Sequence, residues 1–312
     1  MPICGWLSST KGAGWPSTFY LFGAIGLLWT IVWLLFASSS PEDHRWISEK
    51  EKNYILNSLG KQRQHVGDGT KHLATPWKEI WTSLPFWAVI LAHCGQNWGF
   101  WTLLTEMPTY LNSVLHFDLN ENGLLSALPY LVMWIFSIII GWISDKALAK
   151  GWLSVAVTRK LGNSIAHWGP ALALIGLGFV PENKPLLAVG VLTVAVGLNG
   201  ASYIGFQVNH LDLSPNFAGT LMGITNCLSN IMGIIAPITA GRIAYDETNA
   251  DLWRTVFFVS AAVYFVFNLF FIIFGSVEIQ PWNNPHNNLQ EVSVETIDPT
   301  EERNQKDIFS KS

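Results

Sequence analysis

Charge is what this sequence has least of. Its 312 residues carry 18 Lys+Arg and 22 Asp+Glu, 13% in all, about half the roughly 25% usual for soluble domains. The shortage is concentrated in seven apolar runs, residues 17–37, 86–107, 124–143, 161–180, 186–206, 217–240 and 255–275, where Glu106 is the only charged residue. Charge-free runs of about 20 residues are the length of a bilayer-spanning helix. A single soluble globule is therefore excluded, and a polytopic all-α membrane protein is predicted. Cysteine is scarce as well: Cys4, Cys94 and Cys227 are scattered and form neither a disulfide framework nor a metal-ligand spacing. A net charge of −4 excludes the basic patch expected of a nucleic-acid partner. No Asn-x-Ser/Thr sequon exists to orient the loops, and residues after Met1 lack the basic start and apolar core of a cleavable signal.

Lys and Arg are distributed unevenly across an alternating seven-span arrangement. The 38–85 linker holds seven, the 144–160 loop four and the tail three, against Lys11, Lys184, Arg242 and Arg254 on the other side. Fourteen against four places the linker and the C-terminus in the cytosol and the N-terminus outside. Four segments follow: 1–37 with one span, the cytosolic linker 38–85, six spans over 86–275, and a polar tail, 276–312, read as disordered. Within the linker, Ser48 followed three residues on by Glu51 predicts a capped amphipathic helix, and Gly67-Asp68-Gly69-Thr70 reads as flexible. The 16 Trp residues favour span ends, as interfacial anchors do.

A polar group inside a span needs a partner or water, so such groups are the candidates for function. His93, Gln96 and Asn97 stand at i, i+3 and i+4 and share one helix face with Phe100, Trp101 and Leu104. That face reads either as a substrate surface offering neutral amide donors to an anion or as interhelical hydrogen bonding. Asn226 and Asn230, with Thr225 and Ser229, make a second polar face on a helix that also carries Gly219, Gly223, Gly233 and Pro237. It reads as a wall of a substrate path or as close packing. Glu106 at a span end and His93 are candidates for ion coupling, and His167 and His116 also admit proton-relay readings beside structural ones. No third residue joins His210 and Asp212, so no metal site is expected, and no cofactor beyond a coupling ion. Gly141, Asp145 and Lys146 close the third run, and Arg159 with Lys160 opens the next. Asp145 is expected to pair with a base or helix N-terminus across that loop. Gln207 to Asn216, including Asn209, His210 and Asp212, reads as a tight cytosolic turn.

The step from Gly141 to Asp145-Lys146 resembles the loop signature of major facilitator transporters. The string from Asn209 to Pro215, followed by Ala218-Gly219, Gly223 and Asn226, is similar more narrowly to the sialin and type I sodium–phosphate cotransporter family of anion carriers. Gly14-Trp15-Pro16-Ser17, Asn97-Trp98-Gly99-Phe100, the string from Leu103 to Tyr110, Glu121-Asn122-Gly123 and Leu128-Pro129-Tyr130-Leu131 share that resemblance, which runs from about Gly14 to Trp282. It implies a major facilitator fold represented by helix six plus the C-terminal six-helix half, with residues 1–13 as the end of helix five. It also implies symport of inorganic phosphate or small organic anions with Na⁺ or H⁺, by rocking of two halves around a midplane site. The vesicular glutamate branch carries an arginine where this chain has Gln96. Gln96, Asn97, Trp101, Asn226 and Asn230 would line the substrate path in the lipid bilayer, of a plasma or a lysosomal or vesicular membrane. Gly141, Asp145, Lys146, Arg159, Asn209, His210 and Asp212 would form the cytosolic gate. Charged groups of the family's first, second and fourth helices lie in a missing N-terminal half that a complete transport path needs. The alternatives are a non-transporting short isoform or incomplete gene model, and a seven-span receptor. A membrane enzyme lacks the His/Asp/Ser or metal constellation it would require.

Overall fold

The computed structural model describes residues 14–38, 40–63, 74–117 and 119–284, together with Cys4 and Leu7. The Gly67 to Thr70 stretch, residues 1–3 and 8–13, and tail residues 285–312 lie outside the described residues. Two compact units divide the chain at residues 73 and 74.

In the first unit, α1 (Gly14–Phe36) is apolar on every face and buries none of its residues. A helix of that kind is suited to lipid or to burial among other apolar helices, as a membrane span is. The chain leaves it through a turn where Ser40 Oγ donates to Asp43 Oδ2 at 2.8 Å and the Trp46 ring packs on Phe36 at 5.3 Å. The helix predicted from the Ser48 cap is present as α2 (Glu49–Arg63), and Ser48 Oγ accepts from Glu51 N at 3.2 Å.

The second unit opens with the short α3 (Trp77–Thr82) and then makes six long passes. These are α4 (Leu84–Ser113), α5 (Leu119–Ala149), α6 (Val155–Leu177), α7 (Pro185–Leu198) continued by a 3₁₀ segment (Asn199–Ile204) and α8 (Phe206–Leu213), α9 (Ala218–Ile243) and α10 (Ala250–Phe274). Helix α4 packs between α9 and α10, α6 between α10 and α7, and α5 on α7. The largest apolar cluster gathers Leu103, Tyr110, Leu174, Leu192, Trp253 and Phe257 toward the turns at 114–118, 178–184 and 244–249. We call the opposite end, with the turns at 150–154 and 214–217, the Arg159 end.

Five helices are long and apolar enough to cross a membrane: α1, 127–149 of α5, the Pro185–Leu213 pass, α9 and α10. Helices α4 and α6 have the length, at 30 and 23 residues, but fall short in apolarity. They carry the buried polar groups His93, Gln96, Asn163 and His167 that the bundle turns inward.

Three expectations are corrected. The segment from Gln207 is helical through Leu213 rather than a tight turn, because Phe206, Asn209, His210 and Leu213 are all buried against the bundle. The chain turns only at Ser214–Phe217. Residues 276–284 are ordered rather than the start of a disordered tail. Gln280 N donates to Leu213 O at 2.9 Å, Asn283 Oδ1 accepts from Ser214 Oγ at 2.7 Å and Asn216 N at 3.1 Å, and Trp282 is buried. Six hydrogen-bonding side chains in that stretch looked like solvation; two of them instead meet the α8–α9 turn, Asn283 as above and Asn284 through Oδ1, which accepts from Asn216 Nδ2 at 2.9 Å, a partner that the sequence does not announce. Finally, Asp145 does not pair across the loop, as shown below.

Candidate functional site

The seventh pass is interrupted where its neighbours press closest. A Cβ on Gly200 would lie 2.7 Å from the backbone oxygen of Met133 in α5, and one on Gly205 would lie 2.9 Å from Asn163 N in α6. Only glycine admits both approaches, and between them the helix tightens to 3₁₀ geometry, presenting Asn199 to the interior. Interrupted helices in transporters put backbone and side-chain polar groups at mid-depth.

Asn199 is the hub of a buried network. Its Oδ1 accepts from Gln96 Nε2 at 2.8 Å and from Tyr264 OH at 3.0 Å, while its Nδ2 donates to Ala195 O at 3.2 Å. Three elements, α4, α10 and the 3₁₀ segment, thus meet at one amide. Gly99 makes room for this, since any Cβ there would intrude on the Tyr264 ring. The Oε1 of Gln96 and the hydroxyl of Tyr130 are buried without a partner among the described residues.

The face predicted to carry His93, Gln96 and Asn97 together is split. Residues four apart on a helix point within about 40° of each other, whereas adjacent ones diverge by about 100°. His93 and Asn97 therefore both meet α9, His93 Nδ1 at 3.3 Å from Thr225 Oγ1 and Asn97 Nδ2 donating to Ser229 Oγ at 3.0 Å. Gln96 turns to Asn199 instead. Trp101 lies over Gly233 of α9, whose Cβ position is 3.0 Å from the indole nitrogen.

The polar residues of α9 fall on two neighbouring stripes. Thr225 and Ser229 are buried against α4, while Asn226 and Asn230 are exposed and joined to each other, Asn230 Nδ2 donating to Asn226 Oδ1 at 3.0 Å and Asn226 O at 2.8 Å. Glu106 is half-buried, accepts from Thr105 Oγ1 at 3.2 Å and has no basic partner among the described residues. His116 is exposed in the turn after α4 with φ of 56°.

At the Arg159 end the two loop motifs do come together, through different residues from those expected. Arg159 holds Asp212 with both prongs, Nε to Oδ2 at 2.7 Å and Nη2 to Oδ1 at 3.2 Å, and donates Nη1 to Ile204 O at 3.3 Å. Asn209 Nδ2 donates to Asp212 Oδ2 at 3.1 Å and to Ser276 O at 2.9 Å. Asp145 and Lys146 are exposed, with Lys146 over the Trp142 ring at 4.6 Å. Asp145 has no ion pair among the described residues. Its carboxylate stays in solvent because Arg159, one helix further on, is already turned toward α8. Gly141 meets nothing within 4 Å of its Cβ position. His210 is buried between Gln207 O at 3.2 Å and Thr225 Oγ1 at 2.8 Å. A cleft of about 430 Å³ at the far end, lined by Tyr110, Glu182, Asn249, Asp251 and Arg254 among others, involves none of the predicted site residues.

Sequence reasoning passed over Asn199, Tyr264 and the Arg159–Asp212 pair. Asn199 carried the same kind of signal as Gln96, an amide in an apolar run, with Gly197, Gly200 and Gly205 around it. Tyr264 sits among aromatics and nothing distinguishes it locally.

A bundle of long apolar helices, one of them interrupted, closed around a buried amide network, defines a multi-pass membrane protein. The model of the Major Facilitator Superfamily matches residues 1–237, and the chain belongs to that family, whose members are transporters and not enzymes. The seven-span receptor alternative falls with that membership. The chain is 45% identical over 299 residues to a "Putative inorganic phosphate cotransporter" of Drosophila melanogaster, covering 95% of this chain and 55% of the relative. It is 40% identical over 268 residues to human sialin, covering 86% and 52%. Against vesicular glutamate transporter 3 of Danio rerio it is 36% identical over 291 residues, covering 93% and 48%. The chain thus spans about half the length of the curated relatives it matches.

Proposed function

We propose that this chain supplies part of the translocation path of a secondary active anion transporter, a symporter of inorganic phosphate or small organic anions with Na⁺ or H⁺. The single observation that carries the reading is the exposed Asn226–Asn230 pair on α9, beside the Asn97–Ser229 contact. It is a patch of neutral amide donors on an otherwise apolar helix, suited to an anion that must be bound and then released. Trp101 of α4 lies over the same helix at Gly233, and Gln96, turned to Asn199, would serve the path from the buried network instead. Glu106 and His93 are the candidates for coupling. The Arg159–Asp212 pair, with Asn209 and His210 beneath it, is the candidate gate, and the excess of Lys and Arg in the loops supports a cytosolic position for that end and for the C-terminus. The setting is a plasma membrane or a lysosomal or vesicular one, and the name of the vesicular glutamate transporters supports the vesicular choice.

Coverage of about half of each relative favours a second statement: the 312 residues need the complementary half of such a carrier to move substrate. Proteoliposomes test both. Uptake of radiolabelled phosphate, urate and sialic acid is expected at background for the chain alone and above it when the first half of a relative is co-reconstituted. Asn226→Ala is expected to weaken apparent substrate affinity in the paired preparation. Background uptake in every arm would overturn the transport reading, and full uptake by the chain alone would overturn the second statement.

A further inference from the structure

Two hollows meet at one aromatic ring, at the end of the bundle away from Arg159. The first is the cleft of about 430 Å³ between the 178–184 turn and the start of α10; the second is a groove of about 550 Å³ between α6 and α10. Phe179 alone among the described residues lines both. The Arg254 guanidinium lies over its ring at 5.9 Å, and Phe258 packs against it at 5.8 Å. Gly178 permits this arrangement, because a Cβ there would lie 2.9 Å from both the Arg254 stem and the Phe258 ring.

The groove is apolar along its length. Leu172 and Ile175 of α6 and Phe265 and Val266 of α10 wall it, all exposed, and the small, buried Ala171 and Ala261 form its floor. Trp168 marks its inner end, stacked on Phe265 at 5.5 Å with its indole N–H donated to Phe265 O at 3.3 Å. From Trp168 to the end of α6 at Leu177 is about 14 Å, and the hydrocarbon of one leaflet is about 15 Å deep. The cleft, by contrast, is charged: Glu182 and Asp251 bring two carboxylates and Arg254 one guanidinium. Arg254 donates Nε to Gly178 O at 2.6 Å and Nη1 to Asp251 Oδ1 at 3.0 Å. Its Nη2 and the Glu182 carboxylate have no partner among the described residues. An exposed pair such as Arg254 with Asp251 is weak and leaves both charges open to a ligand.

We propose that cleft and groove are the head and tail ends of one lipid site, which takes a zwitterionic phospholipid, a phosphatidylcholine or phosphatidylethanolamine, from the leaflet at this end. One acyl chain lies in the α6–α10 groove, the phosphate accepts from Arg254 Nη2, and the ammonium group lies by Glu182 and Asp251. Charge selects this head: an anionic lipid would bring its phosphate to one cation and two carboxylates, whereas a head of both signs matches the cleft. Depth selects a bilayer lipid over a soluble zwitterion, because the groove that continues the cleft has the length of one leaflet. The site is independent of what the bundle transports.

Photo-labelling of the full chain in nanodiscs tests this, with trace phosphatidylcholine carrying a diazirine on one acyl chain. Label is expected in residues 168–179 and 258–266 at a level at least about fivefold above other exposed apolar stretches, such as 131–143 of α5 and 231–238 of α9. Excess unlabelled phosphatidylcholine should remove it; phosphatidylglycerol with the same chains, and soluble glycerophosphocholine, should compete at least about fivefold more weakly. These arms use the native chain and need no variant. Ala262→Phe, at an exposed position lining the groove, should abolish the labelling, and Glu182→Gln should narrow the preference for phosphatidylcholine over phosphatidylglycerol to below about twofold. Labelling spread evenly over all exposed apolar stretches, or phosphatidylglycerol competing as well as phosphatidylcholine, would overturn the proposal. So would equal competition by glycerophosphocholine, which would make the cleft a site for soluble zwitterions, and so would cross-links through the groove to a second copy of the chain.

Discussion

The Arg159–Asp212 pair offers the sharpest test of how this bundle is held. Its two contacts, at 2.7 and 3.2 Å, join side chains that are only 15% and 16% exposed. A hydrogen bond to a charged group is worth about 1.5–3 kcal/mol. Removing one partner also leaves a largely buried charge alone, so Arg159→Met or Asp212→Asn alone should cost about 2–4 kcal/mol. Removing both should cost less than the sum, with a coupling energy of about 1.5–3 kcal/mol. Unfolding in mixed micelles by SDS titration, followed by far-UV circular dichroism, gives all four corners of the cycle. The internal control is Asp145→Asn combined with Arg159→Met, for which the coupling should stay below about 0.5 kcal/mol, as expected of an exposed residue without a partner. A coupling for Asp212 as small as that, or one for Asp145 as large as that predicted for Asp212, would refute the assignment of Arg159's partner.

Three further outcomes are expected. Asn199→Ala removes the acceptor shared by Gln96 and Tyr264 and should destabilise the chain by about 1–3 kcal/mol in the same titration. Gly99→Ala drives a methyl into the fully buried Tyr264 ring, with an expected loss of about 1–3 kcal/mol and a changed tyrosine near-UV signal. The carboxyl of Asp246, in the turn before α10, accepts from Thr248 Oγ1 at 2.7 Å and Thr248 N at 3.1 Å, and these bonds hold it below the usual carboxylate range. Because the folded value is the lower one, the stabilisation is fully present above the ordinary carboxylate range and is lost as pH falls below that range, through the depressed value of the folded turn; Thr248 amide protection should be lost on acidification, and Asp246→Asn should remove that pH dependence.

Much of the scaffold was legible because membrane burial writes itself into composition. The apolar runs became helices, and the Ser48 cap became the start of α2. The motif strings led to the right family. The site was legible only as a set of residue types. Gln96 and Asn97 both stand out as amides in an apolar run, yet one residue of helical rotation sends them to different neighbours, Asn199 and Ser229. A pairing such as Arg159 with Asp212 spans 53 positions, and in one sequence every cation near a span end is an equal candidate for every acid. The order of residues 276–284 was hidden for a related reason. Asn283 looks like a solvated loop residue until the turn it caps is known.

That last stretch also moves the edge of the domain. With Asn209 bonded to Ser276 O, Gln280 to Leu213 O and Asn283 to the 214–216 turn, the folded unit reaches at least to Asn284 rather than stopping at the last long helix. An expression design cut at Gly275 would strip the α8–α9 corner of its only covering strand of chain among the described residues and expose the base of the Arg159–Asp212 clasp to solvent. A reporter or purification handle joined after Asn284 would instead leave that corner closed, and would sit within a few residues of the clasp whose state it could be used to follow.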